Sequence, residues 1–269
     1  VRFFKGLSVS IIALGAVFTL LPLFIVGMTS LLPPGTTTVM AEAPLRWTLE
    51  NYRQAWLGGH FLRAFANSTL VALSVTALQI LTSALAGYAL ARMQFWGRQT
   101  LLVMALATLV IPFQLLVIPI FLVLKSAHLL NTLGALILPT AANGFGIVLM
   151  RQFFTTIPIQ LEEAAQLDGA TRWQILWQIL LPLSRPALVT LFLFTFIGEW
   201  NDLFKPLVFT TKPELMTVQL SLASFQEQFT NNWPLMMAAT VIASLPIVGL
   251  CLVGQRQLVR GVATTGIKT

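Results

Sequence analysis

Charged residues are so sparse in this chain that five stretches run for more than about 20 residues without one, the length a helix needs to cross a hydrocarbon core. They lie between Lys5 and Glu42, Arg63 and Arg92, Arg98 and Lys125, Lys125 and Arg151, and Glu227 and Arg256. A sixth apolar stretch follows Arg185 and is interrupted by Glu199, Asp202 and Lys205. Only 9% of the 269 residues are charged and 57% are hydrophobic, against about 25% charged in a soluble domain. Together with a mean hydropathy of +0.83, this leaves lipid as the solvent for much of the surface. The fold class expected is therefore an all-α integral membrane protein with six transmembrane helices in one domain, 1–269. The spans fall near 9–31, 67–91, 101–124, 133–154, 186–208 and 235–254.

Lys and Arg set the orientation. With the N-terminus cytoplasmic, ten basic residues fall inside: Arg2, Lys5, Arg92, Arg98, Arg151, Arg172, Arg185, Arg256, Arg260 and Lys268. Six fall outside: Arg46, Arg53, Arg63, Lys125, Lys205 and Lys212. The excess places both termini in the cytoplasm and accounts for a net charge of +7. A nucleic-acid role is disfavoured because these charges are scattered singly. Arg2 and Lys5 before an apolar run, with Ala41-Glu42-Ala43 beyond it, also resemble a signal peptide. The run of about 22 residues exceeds a signal h-region, so the first helix is read as retained. Cys251 is the single cysteine, which excludes an internal disulfide scaffold.

The inner segment after the fourth span is the most informative. Read as a helix, Leu161, Ala164, Ala165 and Leu167 form a weakly apolar face and Glu162, Glu163, Gln166 and Asp168 cover the rest. Gly169 permits a sharp turn, Thr171 can cap a second, apolar helix from Trp173 to Leu180, and Pro182 and Pro186 end it. Two readings stand on physics alone: a loop packed on the bilayer, or a short helix presented to a cytosolic partner.

The pattern Glu163-Ala164-Ala165, three residues, Gly169, nine residues, Ile179, one residue, Leu181-Pro182 resembles the EAA loop of ABC importer permeases. LENYRQAW, GYALARMQFWGR, IPFQLLVIPIF, LNTLGALILP, GEWND and QRQLVRGVATTGIK extend the resemblance over nearly the whole chain, to the maltose-type second permease subunit of carbohydrate importers. The resemblance implies the type I ABC importer permease fold. It also implies that Glu163, Ala164, Ala165, Asp168, Gly169, Ile179, Leu181 and Pro182, in a loop of about 157–182, serve coupling to a cytosolic ATPase dimer. That ATPase, and not this chain, would bind ATP and Mg. A second homologous permease and an extracytoplasmic solute-binding protein complete the implied assembly, in a bacterial or archaeal inner membrane. The tail, with Gln255, Arg256 and Arg260, would run along the ATPase; held at anionic headgroups is its other reading.

No catalytic or metal site is expected: there is no Gly-Lys for a phosphate loop, and His60 and His128 are isolated interfacial residues. For the translocation path or gate the candidates are Glu199, Asn201, Asp202, Asn143 and Gln114. The i,i+3 spacing of Glu199 and Asp202 places both on one helix face, either lining a path for a hydroxylated solute or anchoring the helix with Lys205 paired to one acid. Gln79 is a further polar residue in a span, and Pro112 and Pro119 are expected to bend the third helix. With no Lys or Arg expected deep in a span, the solute is read as a neutral sugar, glycoside or polyol. The rivals are a non-carbohydrate solute such as a glycerol phosphate, and a stand-alone transporter or channel, which has no use for an EAA loop.

Overall fold

The computed structural model describes residues 2–34, 47–229 and 232–266; Ala41-Glu42-Ala43, Arg46 and Lys268 lie outside the described residues. The chain is helical: α1 (Arg2–Ser30), α2 (Glu50–Gly58), α3 (Phe61–Arg92), α4 (Arg98–Ala107), α5 (Val117–Ser126), α6 (Leu133–Ile137), α7 (Gly144–Thr156), α8 (Gln160–Leu167), α9 (Arg172–Leu183), α10 (Arg185–Trp200), α11 (Phe204–Phe209), α12 (Val218–Gln228) and α13 (Trp233–Gly266). Among the described residues, three segments are long and apolar enough to cross a membrane unaided, Ser10–Ser30, Phe61–Arg92 and Trp233–Gly254. Two bent pairs, Leu133–Thr140 with Gly144–Thr156 at 44° and α9 with α10 at 78°, raise this to five if each pair is one span.

Several expected spans differ from the continuous helices read in the sequence. The stretch 101–124 is two helices, because Thr108–Ile111 turn away and Pro112 is extended at ψ 135°. Proline cannot donate the helical hydrogen bond and disfavours helix in the residue before it. Pro119 lies inside α5, so the pair breaks the span once rather than bending it twice. The stretch 133–154 breaks at Ala141–Asn143, where Asn143 caps α7 by accepting from Gly146 N at 2.7 Å. The stretch 186–208 stops at Trp200 and restarts as α11. At the other end of the chain α13 continues through Gln255, Arg256 and Arg260 as backbone helix, where the sequence reading has a tail.

Packing divides the chain into two compact units. The first comprises residues 1–65 and 218–246. In it the Asn51 side chain donates to the carbonyls of Ser30 and Leu32 at 2.9 and 2.6 Å, satisfying acceptors that the end of α1 leaves open. Trp56 stacks on Phe61 and meets Phe65 at a tilt, Phe61 in turn meets Phe225, and the Ser221 hydroxyl donates to the Gly59 carbonyl. Most of α1 beyond this is exposed apolar surface, Phe18 to 80%, as a lipid-facing helix should be.

The second unit comprises residues 66–217 and 247–269. One cluster joins Tyr88 of α3, Met150 and Phe154 of α7, Leu176 and Leu180 of α9, and Leu191 of α10. Another joins Val75 of α3, Leu124 of α5, Leu136 of α6 and Phe209 of α11. Close helix approach in lipid relies on small residues, and Gly146 provides it: a Cβ there would meet the Ser83 hydroxyl and lie 3.0 Å from Leu191 Cδ1. Gly146→Leu is expected to cost about 1–3 kcal/mol by overpacking, read as a lowered thermal midpoint in detergent. Gly198→Ala, with nothing within 4 Å, serves as the control and should leave stability unchanged or raise it by up to about 1 kcal/mol through helix propensity.

Candidate functional site

At one end of the second unit, α7 runs out at Ile157 and the chain turns through Pro158 into α8. α8 turns one carboxylate inward and leaves two leucines in the open. Glu162 is 2% exposed, whereas Leu161 and Leu167 are 45% and 90% exposed. The physical reason is a countercharge from another helix: Arg92 Nε, at the end of α3, lies 2.5 Å from Glu162 Oε1. Arg92 Nη2 also donates to the Ile157 carbonyl at 2.6 Å. One guanidinium thus ties α3 to both the entry and the body of α8. Glu163, Ala164 and Asp168 are exposed on the opposite side and Ala165 is half-buried.

The turn after α8 follows the expected chemistry. Gly169 adopts φ +83°, its N–H donates to the Gln166 carbonyl at 3.0 Å, and Ala170 N–H donates to the Ala165 carbonyl at 2.9 Å. These two bonds are the Schellman pair that closes a helix through a left-handed glycine. Thr171 then caps α9 in a reciprocal box with Gln174. Pro182 does not end α9; the helix passes through it to Leu183 because the preceding turns, Ile175–Leu180, are widened to a π-helix, which relieves the clash of a proline ring with the carbonyl below. Leu181 is buried and Ile179 half-buried in the core of the unit, so these two hold the loop in place while Pro182 is exposed.

A second constellation gathers at the two helix breaks. Gln79 of α3 is 3% exposed. Its Nε2 donates to the Thr140 carbonyl at 2.6 Å, and its Oε1 accepts from Asn143 Nδ2 at 2.5 Å and from Thr195 Oγ1 at 2.8 Å. Thr82 Oγ1 donates to the Ala141 carbonyl at 3.2 Å. The backbone groups freed by breaking the α6–α7 span are thereby satisfied by side chains, the condition for irregular backbone at membrane depth.

Through Thr140 the network reaches charge. Lys205, 3% exposed, donates to Thr140 Oγ1 at 2.8 Å and lies 2.6 Å from Glu199 Oε2 and 3.3 Å from Asp202 Oδ2. The two acids do not share a helix face, because α10 ends before Asp202. It is Lys205 that brings them together, while Asp202 Oδ1 accepts from the N–H groups of Phe204 and Lys205 at the start of α11. Lys205, counted on the outer side and paired to one acid in the anchoring reading, is buried and reaches both acids, because the break after Trp200 folds it back onto Glu199. Asn143 belongs to this network; Asn201 is exposed just after α10, and Gln114 is exposed on a 3-10 turn, outside the network.

The sequence reading missed Arg92, Glu162 and Thr195 as members of these sites, and had Lys205 only as the partner of one acid in its anchoring alternative. The available signal was position: a cation at the end of a long uncharged run, and a lysine within a span. His60 and His128 both sit at left-handed turn positions, φ 47° and 57°, a conformation histidine adopts more readily than most residues. Among the described residues no group of three metal-ligating side chains occurs.

Residues 79–264 match the family model described as the binding-protein-dependent transport system inner membrane component. The arabinooligosaccharides transport system permease protein AraQ of Halalkalibacterium halodurans is 32% identical over 96% of this chain and 93% of its own. The trehalose transport system permease protein SugB of Mycobacterium tuberculosis is 33% identical over 93% of each. A chain of a bacterial ABC transporter involved in the import of the acidic polysaccharide alginate shares the fold at a TM-score of 0.82 and 24% identity, covering 95% of this chain and 96% of that one. With the family model covering well over half its length and full-length relatives above 30% identity, the chain belongs to the inner membrane components of binding-protein-dependent transport systems, the non-catalytic permease subunits of ABC importers.

Proposed function

We propose that this permease takes up a sugar, glycoside or related polyol and that α8 is its coupling helix. The observation that carries the reading is the mounting of α8. It is a short helix outside the long apolar segments, locked from behind by Arg92 and ended by the Gly169 turn. Its outer side exposes Leu161, Glu163 and Leu167. A charged and apolar knob on a rigid base suits a cleft in a cytosolic ATPase subunit. The proposed assembly holds a second homologous permease, two ATPase copies that bind ATP and Mg, and an extracytoplasmic solute-binding protein. Both termini and α8 lie on the cytoplasmic side of a bacterial or archaeal inner membrane. The solutes named for AraQ and SugB support a carbohydrate.

In the proposed cycle, ATP-driven closure of the ATPases displaces α8, and the core shared by α3, α7, α9 and α10 carries that displacement to the helix breaks. The polar network at Gln79, Asn143, Glu199 and Asp202 is the proposed gate region. Its hydrogen bonds define one of two states that the ATPase biases.

The test uses the reconstituted importer with its cognate binding protein. Gly169→Val forces a β-branched residue to φ +83° and should cost more than about 1 kcal/mol at the turn; Glu163→Lys reverses an exposed charge with little cost to folding. Both should abolish solute-stimulated ATP hydrolysis or release the ATPase while the permease stays folded. Normal stimulated hydrolysis in both variants would remove α8 as the coupling helix.

A further inference from the structure

Two arginines converge on a single acceptor where α3 ends. Arg98 Nε donates to the Leu90 carbonyl at 2.9 Å and its Nη2 to the Ala91 carbonyl at 3.3 Å, while Arg151 Nε, from α7, donates to the same Leu90 carbonyl at 3.3 Å. The shared oxygen holds two like charges close together, and among the described residues neither guanidinium has an ion-pair partner. Each keeps further N–H donors beyond those used on the backbone. Both arginines line a cavity of about 850 Å³ with Trp96, Gly97, Gln99 and Thr100, a volume in the range of small-molecule sites. The wall of this cavity includes the first turn of α4, which no side chain caps.

The surroundings are apolar in one direction only. Trp96 is 99% exposed, and α4 buries none of its residues, with Leu101 and Met104 about half exposed, 49% and 58%. An exposed tryptophan beside a pair of arginines at the end of a membrane span is the composition of the headgroup boundary. A basic pocket between spans at that level suits an anionic headgroup.

The geometry points to a binding site for the phosphodiester of an anionic phospholipid. The phosphate sits between Arg98 and Arg151, where paired guanidiniums give charge-assisted bonds, and the acyl chains lie along Leu101 and Met104 of α4. A free phosphate would use the arginines and leave the apolar track bare. An acidic segment of a partner protein would leave the exposed apolar track of Leu101 and Met104 unused. The site is independent of the solute carried.

The experiment is lipid retention by the purified full-length permease complex, read by native mass spectrometry after exchange from mixed micelles of phosphatidylglycerol and phosphatidylcholine. Wild type should retain phosphatidylglycerol over phosphatidylcholine by at least about tenfold, and Arg98→Gln with Arg151→Gln should abolish the preference. Because those arginines also bond the α3 carbonyls, Thr100→Glu is the second variant. It adds an acid to the first turn of α4, where the helix tolerates one, and should abolish the preference with folding intact. Equal retention of both lipids by wild type, or an unchanged preference in Thr100→Glu, overturns the site. Competition by inorganic phosphate or glycerophosphoglycerol as effective as that by intact lipid would make it a soluble-phosphate site instead. Retention of the lipid by the permease stripped of its ATPase but not by the intact complex would assign the arginines to a protein partner, and that too overturns the proposal.

Discussion

Arg92→Ala is expected to destabilise the permease by about 3–5 kcal/mol, because it leaves the buried Glu162 carboxylate without its cation. The loss should appear as a lowered thermal midpoint of the detergent-solubilised protein. Function should fall further than stability, since the same guanidinium holds both the Ile157 carbonyl and α8. Replacing both partners by leucine removes the uncompensated charge and should restore most of the stability, as neutral replacements of buried pairs commonly do. It should not restore the ratio of solute transported to ATP hydrolysed, because α8 would lose its directional tie to α3. A double variant with wild-type coupling would show that apolar packing alone positions α8. An Arg92→Ala variant as stable as wild type would show that the pair contributes nothing.

Lys205→Met is expected to have an effect of similar size, about 3–5 kcal/mol, by stranding Glu199 and Asp202 as two carboxylates with no cation between them. The network also supplies a way to separate structure from transport. In Lys205→Met combined with Glu199→Gln and Asp202→Asn, the cluster is neutral and the burial penalty largely disappears. If these side chains only brace the α10–α11 break, uptake should return with stability. If the acids meet the solute, as the proposed gate reading expects, the triple variant should be folded, should assemble, and should transport at a small fraction of the wild-type rate. Thermal unfolding and uptake measured on the same preparation distinguish the two outcomes.

Some of this architecture is readable from local pattern and some is not. Gly169 was legible because a chain that must leave a helix sharply uses the residue without a Cβ, and the φ of +83° follows from that local rule. Thr171 was legible as a cap for the same kind of reason. Pro112 marked a break, although only the structure shows the span divided there rather than bent. The break at Ala141–Asn143 carries no proline, and what stabilises it is Gln79 and Thr82 from a different helix. The burial of Glu162 was out of reach of the sequence for a related reason. Helical periodicity sorts residues by polarity and sends a glutamate to solvent, but Glu162 is drawn inward by Arg92, and no rule confined to one helix can register that partner.

By itself the sequence determined that the chain lives in lipid, that its apolar runs satisfy their backbone as helices there, and that a short helix, a left-handed glycine and a second capped helix follow α7. These are matters of transfer free energy and local conformation, which act on each segment separately. The tertiary structure decided which of the few charges leave solvent and what they hold, Arg92 on Glu162 and Lys205 on Glu199 and Asp202, and it set the half-buried Arg98 and Arg151 on one carbonyl. An ionised group survives inside such a protein only beside a partner of fitting geometry. Partners brought together from separate helices exist only once those helices have packed.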